Sequence, residues 1–330
     1  MSTTVTAVGL VGAVAPVTRR VRAYFAPVDR EAGLPTLFDA AQIGAFALSS
    51  PPAPWVDLGW CSKFARKSAT KIGALTTGAP TVVQSQVVTQ VEASVQLGFE
   101  SWGKLQLALA AGSQQMNLLQ TANGAAANGS GGRAATAVPL VAGAPGSTAT
   151  ALSVGAAAAR FQVGELVSVD EDYVAQVGFV GSGVSAAYVS SPASVANDIN
   201  YIRRVSLNVG RVVGIANGVL QLGAPLLAGA PPSGMQVSPL VGFVDREGGG
   251  FFQEWSGLFV MDGEQGDRVI YHYPRLQAMQ GSAEMVEPLA GPLEKVKLAG
   301  AFRALPVADA NDGATVLCFR SYLPGAMRAV

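Results

Sequence analysis

Charged side chains are scarce in this chain: Asp, Glu, Lys and Arg make up 13% of its 330 residues, about half of the roughly 25% usual in soluble globular proteins. Its 22 basic and 22 acidic residues cancel, which argues against a broad basic or acidic field and leaves a dispersed monomer little colloidal protection. Histidine is limited to His272, so Ser-His-Asp and Cys-His chemistries would both have to pass through one ring. That ring stands in Tyr271-His272-Tyr273, where a strand is expected and a packed side chain is favoured over a base. Cys61 and Cys318 are the two cysteines. They provide neither a disulfide framework nor a metal-ligand spacing, and read as reduced, partly buried thiols.

Uninterrupted apolar runs are also missing. A spanning helix needs about 20 predominantly apolar residues. The stretch Val212 to Val244 is broken by Asn217-Gly218, Pro225, Pro231 and Pro232, and Ala134 to Ala159 by Pro139 and Pro145. Thr6 to Val17 is apolar, but Arg19, Arg20 and Arg22 follow it, the reverse of a secretory signal. No membrane partner is expected. With 49% hydrophobic residues and so little charge, the surface is expected to be covered by protein partners.

Catalytic motifs are absent in the same way. There is no GxSxG elbow, no HExxH helix and no P-loop; Gly248-Gly249-Gly250 leads into an expected strand. Asp170, Glu171 and Asp172, with Asp198 as a distant fourth, lack EF-hand spacing and read as a solvated turn. Neither a cofactor nor a metal is expected, and nothing points to an enzyme. Paired-carboxylate chemistry has no positive signal.

What is present is strand pattern. Val91, Ala93, Val95, Leu97 and Phe99 alternate with Glu92, Ser94, Gln96, Gly98 and Glu100, giving one apolar and one wet face. Thr81 to Gln90 is β-branched and Gln-rich, and is expected to supply a partner strand or an extended arm. A helix should follow over Trp102 to Ala111, with Ser101 as N-cap, Trp102, Leu105 and Leu109 facing the sheet, and Gly112 ending it. Asn123 to Gly132 is a Gly/Ala/Asn linker. Beyond it, short strands are expected at Phe161 to Asp170, Tyr173 to Val180, Ala186 to Val189 and Val205 to Ile215. Asn217-Gly218 turns the last of these into Val219 to Leu222, and together they suggest a small β-barrel or sandwich. Phe251 to Met261 and Arg268 to Tyr273 form a hairpin around Asp262 to Asp267. Lys295 to Leu298 alternates again, and Asn311-Asp312-Gly313 leads into a closing strand, Ala314 to Tyr322. The expected class is mainly β. Residues 1–54 read as an extended N-terminal arm with a helix candidate at Asp39 to Leu48, 55–122 and 241–330 as one β domain, and 123–240 as an inserted β module.

One basic cluster stands out: Lys63, Arg66, Lys67 and Lys71 within Cys61 to Ile72, with Phe64 interleaved. A nucleic-acid site would want such a patch. A loop docking on an acidic surface of a neighbouring subunit, or a solvated loop, is the favoured reading over nucleic acid.

One ordered pattern runs through Trp55-Val56-Asp57-Leu58-Gly59-Trp60, the loop Gly73 to Pro80, the strand Val91 to Glu100, the helix Trp102 to Ala111, and the stretches Tyr273 to Leu276, Pro288-Leu289, Leu293 to Phe302 and Asp309 to Tyr322. In that pattern, about half of the chain resembles the tail tube proteins of long-tailed phages, a family that looks related to the inner-tube proteins of contractile injection systems. The resemblance implies a tail-tube-like β-sandwich or barrel with a short flanking helix. It also implies self-assembly into stacked homo-hexameric or homo-trimeric rings, joined edge to edge, through which genomic DNA passes without specific binding. Other tail proteins of the virion would be further partners. Glu92, Gln96 and Glu100 would then face the lumen as an acidic and neutral lining, and the N-terminal arm would lie on a neighbour. The insert is a departure from the family, either an outward decoration or a second tube-like half. A head-tail adaptor or decoration protein of the virion is the alternative, with a β-rich secreted hydrolase behind it.

Overall fold

The computed structural model describes residues 18–28, 34–52, 54–112, 114–120, 137–142, 146–170, 209–226, 229–231, 234–246, 254–264, 266–279, 284–288 and 294–325. The chain is mainly β, as its alternating patterns require. Strand β1 (Thr18–Pro27) is followed by a single turn of helix, α1 (Ala40–Ile43), which Asp39 caps by accepting from the Ala41 and Gln42 amides. Two long strands, β2 (Val56–Thr77) and β3 (Val82–Phe99), make one hairpin. Helix α2 (Lys104–Ala111) leads into β4 (Gln114–Leu119). Short strands come next: β5 (Val138–Pro139), β6 (Ala151–Ser153), a 3-10 turn at Gly155–Arg160, β7 (Leu166–Asp170), β8 (Val209–Ala216) and β9 (Val219–Leu222). The chain then runs through β10 (Gln236–Arg246), β11 (Glu254–Gly263), β12 (Arg268–Ala278), β13 (Glu284–Pro288) and β14 (Glu294–Ala304). It ends in β15 (Val307–Ala308), β16 (Thr315–Val316) and β17 (Phe319–Leu323).

The larger sheet has the order β13-β14-β3-β2-β1-β11-β12-β17, all antiparallel. It also closes on itself. One edge of β14 pairs with β3, Leu298 to Arg303 against Phe99 to Ser94, and the other pairs with β12 at Ala304 to Phe302 against Leu276 to Ala278. The closed circuit is β1-β2-β3-β14-β12-β11, a six-stranded barrel. Its interior holds Phe25 between Phe259 and Phe302, with ring centroids 6.0 and 5.3 Å away, together with Val95, Leu97, Phe99 and Tyr273. Leu105 and Leu109 of α2 join that core.

Strand β1 is buried on both faces. Ala23 and Phe25 point into the barrel, while Tyr24 and Ala26 point out, alongside Leu258, Val260 and Ile270 of the neighbouring strands. That outer patch is covered by Phe38 and Trp55, with Phe46 and Leu48 packed against it. Polar contacts fix the cover in place. Arg268 holds both oxygens of Asp262 and donates to the Gly44 and Phe46 carbonyls at 2.8 Å, with its guanidinium over the Phe46 ring. Tyr24 donates to the Leu48 carbonyl, and Ser256 links the Thr36 amide to the Pro274 carbonyl.

The structure corrects three expectations here. The N-terminal arm is not wholly an arm: Thr18–Pro27 is an interior strand paired on both sides, and the described part of 34–52 lies on its own barrel. Its alternation is hidden because both faces are apolar. The α2 N-cap is Gly103 rather than Ser101, and Trp102 is exposed rather than packed on the sheet, whereas Gly112 ends the helix at φ 60° as expected. Finally, the stretch expected to be a partner strand or arm, Thr81 to Gln90, is the outer half of the same strand as Val91 to Phe99.

The second sheet, β4-β10-β7-β8-β9-β6, comes from the insert and has its own core of Leu152, Val167, Val212, Leu220 and Val237. Strand β5 pairs with β10, and beyond it Val141 donates to the Ser153 carbonyl of β6, which brings the two ends of the sheet together. Asn217 and Gly218 both take positive φ, 51° and 76°, as a two-residue hairpin of this hand requires. Because β4 and β10 pair with each other, the module's sheet reaches from Gln114 to Arg246, wider than the span marked by composition. The strands expected at Tyr173 to Val180 and Ala186 to Val189, the 123–132 linker, and residues 205–208 of the strand before Asn217 lie outside the described residues.

Val95 is fully buried and its neighbour Gln96 exposed. Val95→Asp would place a carboxylate in the aromatic core, and is expected to remove the cooperative melt or lower soluble yield severely, a loss above about 4 kcal/mol. Gln96→Glu is expected to melt like the parent protein. Circular dichroism of the two variants checks this.

Candidate assembly surface

The barrel covers only the base of the β2–β3 hairpin. Strand β1 pairs with β2 over Val56 to Cys61, and β14 with β3 over Ser94 to Phe99. Beyond those limits the two strands continue together to Thr77 and Val82, with no further strand on either outer edge among the described residues. Residues 72–91 carry no charge. Ile72, Leu75, Val82, Val83, Val87, Val88 and Val91 are each between 49% and 60% exposed. Pairs that stand directly opposite share a face, so Ile72 with Val88 lies on one side and Gly73 with Val87 on the other. Both faces of this ribbon therefore carry exposed apolar side chains among uncharged polar ones, and both edges are unpaired among the described residues, which is the pattern that promotes strand addition.

Closer to the barrel the hairpin changes character. Ala93, Val95, Leu97 and Phe99 point inward; Glu92, Gln96 and Glu100 are exposed on the opposite side, with Ser94 and Gly98 between them. The expected division of this strand into a dry and a wet face is thus present. The basic cluster, however, is not a loop. Lys63, Arg66, Lys67 and Lys71 all lie in β2. Bulges between Ser62 and Ala65 and between Lys71 and Ile72 interrupt its period and hide the strand in the sequence. Lys67 stands opposite Ser94 and Lys71 opposite Gln90, so both share the wet face with Glu92 and Gln96. Arg66 turns the other way, donating to the Tyr273 hydroxyl at 3.0 Å and lying over the Tyr271 ring. The wet face is consequently not the acidic and neutral surface expected from β3 alone.

The remaining sequence candidates have structural partners. His272 is buried, stacked on Phe319 and edge-on to Trp55 and Phe38. Its Nε2 lies 3.3 Å from the Thr36 carbonyl, and Nδ1 has no partner among the described residues. Burial lowers its pKa to about 4, against a smaller upward pull from the Thr36 carbonyl. Cys61 and Cys318 are both free, and burial pushes the Cys61 thiol up to about 12, so it stays protonated. An open groove of about 580 Å³ lies between Arg20, Trp60 and residues 262–264. Its charges are engaged: Arg20 faces Glu100 at 3.9 Å and Asp262 accepts from Arg268. No group of His, Cys, Asp and Glu suited to a metal occurs among the described residues. Glu171, Asp172, Asp198 and Gly248 to Gly250 lie outside them, as does the side chain of Asp170. No described helix is long and apolar enough to cross a membrane.

No protein-family model matches the chain, and a search of curated proteins finds no match either.

The His272 pKa, about 4 folded against about 6.5 in an unfolded chain, means that the unfolded state binds the extra proton first. The stability it supports is present above about pH 6.5 and is lost as the pH falls toward 4, by about 3 kcal/mol. Melting temperatures from pH 7 to 4 are expected to fall less steeply for His272→Phe than for the parent.

Proposed function

We propose that this protein is a self-assembling structural subunit, and specifically a tail tube protein of a phage-type tail whose rings stack into a conduit for DNA. The observation that carries the reading is the uncharged ribbon of residues 72–91, half exposed on both faces and open on both edges. A Val-rich hairpin of that kind is a liability in a monomer and an interface in an assembly. Copies that pair along these edges and pack over these faces remove the liability. The low overall charge has the same explanation. Beyond the ribbon, the reading is supported by the mainly β class of the chain and by the short helix α2 packed through Leu105 and Leu109 against the barrel core, and the wet side of β3, with Glu92, Gln96 and Glu100, is the proposed lumen face. The inserted module, with its separate core, is either an outward decoration of a six-copy ring or a second tube-like half of a three-copy ring.

A virion adaptor or decoration protein would use the same ribbon in one closed ring without stacking. Negative-stain electron microscopy of the concentrated protein separates the two. Stacked hollow rings with a pore wide enough for duplex DNA are expected; single rings that never stack would favour the adaptor. Val87→Lys combined with Val88→Lys puts a charge on each face of the ribbon without touching the barrel core. The double variant is expected to stay dispersed with a melting temperature within a few degrees of the parent, and assembly at the parental concentration would refute the ribbon's role.

A further inference from the structure

The basic residues near the start of the hairpin gain a second row from a remote part of the sequence. Strand β14 lies beside β3, and its outward positions include Lys295, Lys297 and Arg303. The register sets Lys67 opposite Ser94, and Ser94 opposite Arg303, so one row across three strands reads Lys-Ser-Arg. The two cations in that row are two strand spacings apart, about 10 Å. Between the flanking strands the floor is low: the next outward rows are Ala65, Gln96 and Ala301, then Ser62, Gly98 and Ala299. At the β13 edge one carboxylate serves several ammonium groups. Glu287 is held below the usual carboxylate range first by its bond from Lys297 and then by the charges of Lys297, Lys63 and Lys295. The opposing acids are fewer: Glu100 is matched by Arg20, and Glu92, opposite Ala69, stands between the Lys67 and Lys71 positions with its charge intact. Against Glu92 and Glu287, a chain with no net charge thus collects Lys63, Lys67, Lys71, Lys295, Lys297 and Arg303 toward one sheet face.

We infer that the outward face of β2, β3 and β14 binds a polyanion, and that the polyanion is the phosphate backbone of duplex nucleic acid. A flat face on which cations stand beside low rows of Ala, Ser and Gly, interrupted by Gln96, suits a rod of regularly spaced phosphates. Single strands are disfavoured because base stacking needs exposed aromatic rings, and the outward rows of β2, β3 and β14 from Lys71 to Ser62 hold none. The binding is sequence-independent, since lysines and an arginine on a flat sheet reach phosphates and not base edges. The inference goes beyond the conduit reading and does not require it, for the face is present on the single chain. Were the protein a tube, the same face would make DNA adhere to the wall through screened, reversible contacts.

The test is fluorescence anisotropy of a labelled 30-base-pair duplex with the full-length protein across 50–200 mM NaCl. With about four phosphate contacts, affinity should fall on the order of a hundredfold over that range. Lys67→Glu combined with Arg303→Glu should weaken binding at least about tenfold and flatten the salt dependence. Arg320→Glu, on β17 and away from this face, should bind as the parent does. Circular dichroism checks that each variant is folded. No binding by the parent at 50 mM NaCl, or equal binding by parent and double variant, would overturn the inference. So would a double variant that binds DNA normally but loses self-association, which would assign the face to a second copy. Tube formation is scored separately by microscopy, so failure of one proposal is not read as failure of the other.

Discussion

The two-sided pairing of β14 decides how the rest of the chain is arranged. By holding β3 on one edge and β12 on the other, it turns an open sheet into a barrel around Phe25, Phe259 and Phe302. The β14–β3 pairing joins residues some two hundred positions apart, so closing the barrel adds a loop-closure cost to the entropy of ordering each strand, and the aromatic core it seals offsets both. Closure also sets where cover ends. Only Ser94 to Phe99 of β3 lie under β14, and only Val56 to Cys61 of β2 beside β1. Everything further along the hairpin emerges from the barrel, and its apolar side chains have no core to enter. The exposed apolar ribbon is therefore a geometric result of the closure and not a separate feature.

The outer layer follows the same logic. Strands β1, β11 and β12 expose a second apolar stripe on the outside of the barrel, and the segment through α1 covers it with Phe38 and Trp55. Arg268 is central to that cover because it joins the β11–β12 turn to two carbonyls of the segment. His272 lies beneath it with one nitrogen that has no partner among the described residues. The opposite side of the barrel, formed by β2, β3 and β14, has no such cover among the described residues and carries the charges. One barrel thus has a sealed apolar side, a wet cationic side and an apolar hairpin, three surfaces with three different physical demands.

Much of this was legible in the sequence, for reasons that can be given residue by residue. Val91 to Glu100 alternates without interruption, so its faces were readable, and Asn217-Gly218 specified its hairpin through the two positive φ values it adopts. Strand β1 was not readable, because burial on both faces removes the alternation that marks a strand. The segment Cys61 to Ile72 read as a loop because two bulges shift its period and its small polar residues resemble turn chemistry. The insert's limits were drawn at a change in composition, whereas the sheet extends through β4 and β10 on either side of it. The cationic face was out of reach for a different reason: Lys67 and Arg303 meet only through the register of β14 on β3, which no local pattern contains. Half of the candidate site was visible as sequence and the other half existed only as topology.

The central claim is that residues 72–91 are covered by other copies of the chain. Amide hydrogen exchange followed by mass spectrometry, on dilute and on concentrated protein, tests it directly. The account predicts fast exchange along both edges of this ribbon in the dilute sample and strong protection in the concentrated one, with the barrel strands protected in both. Exchange across residues 72–91 that is equally fast at every concentration at which particles form would contradict it.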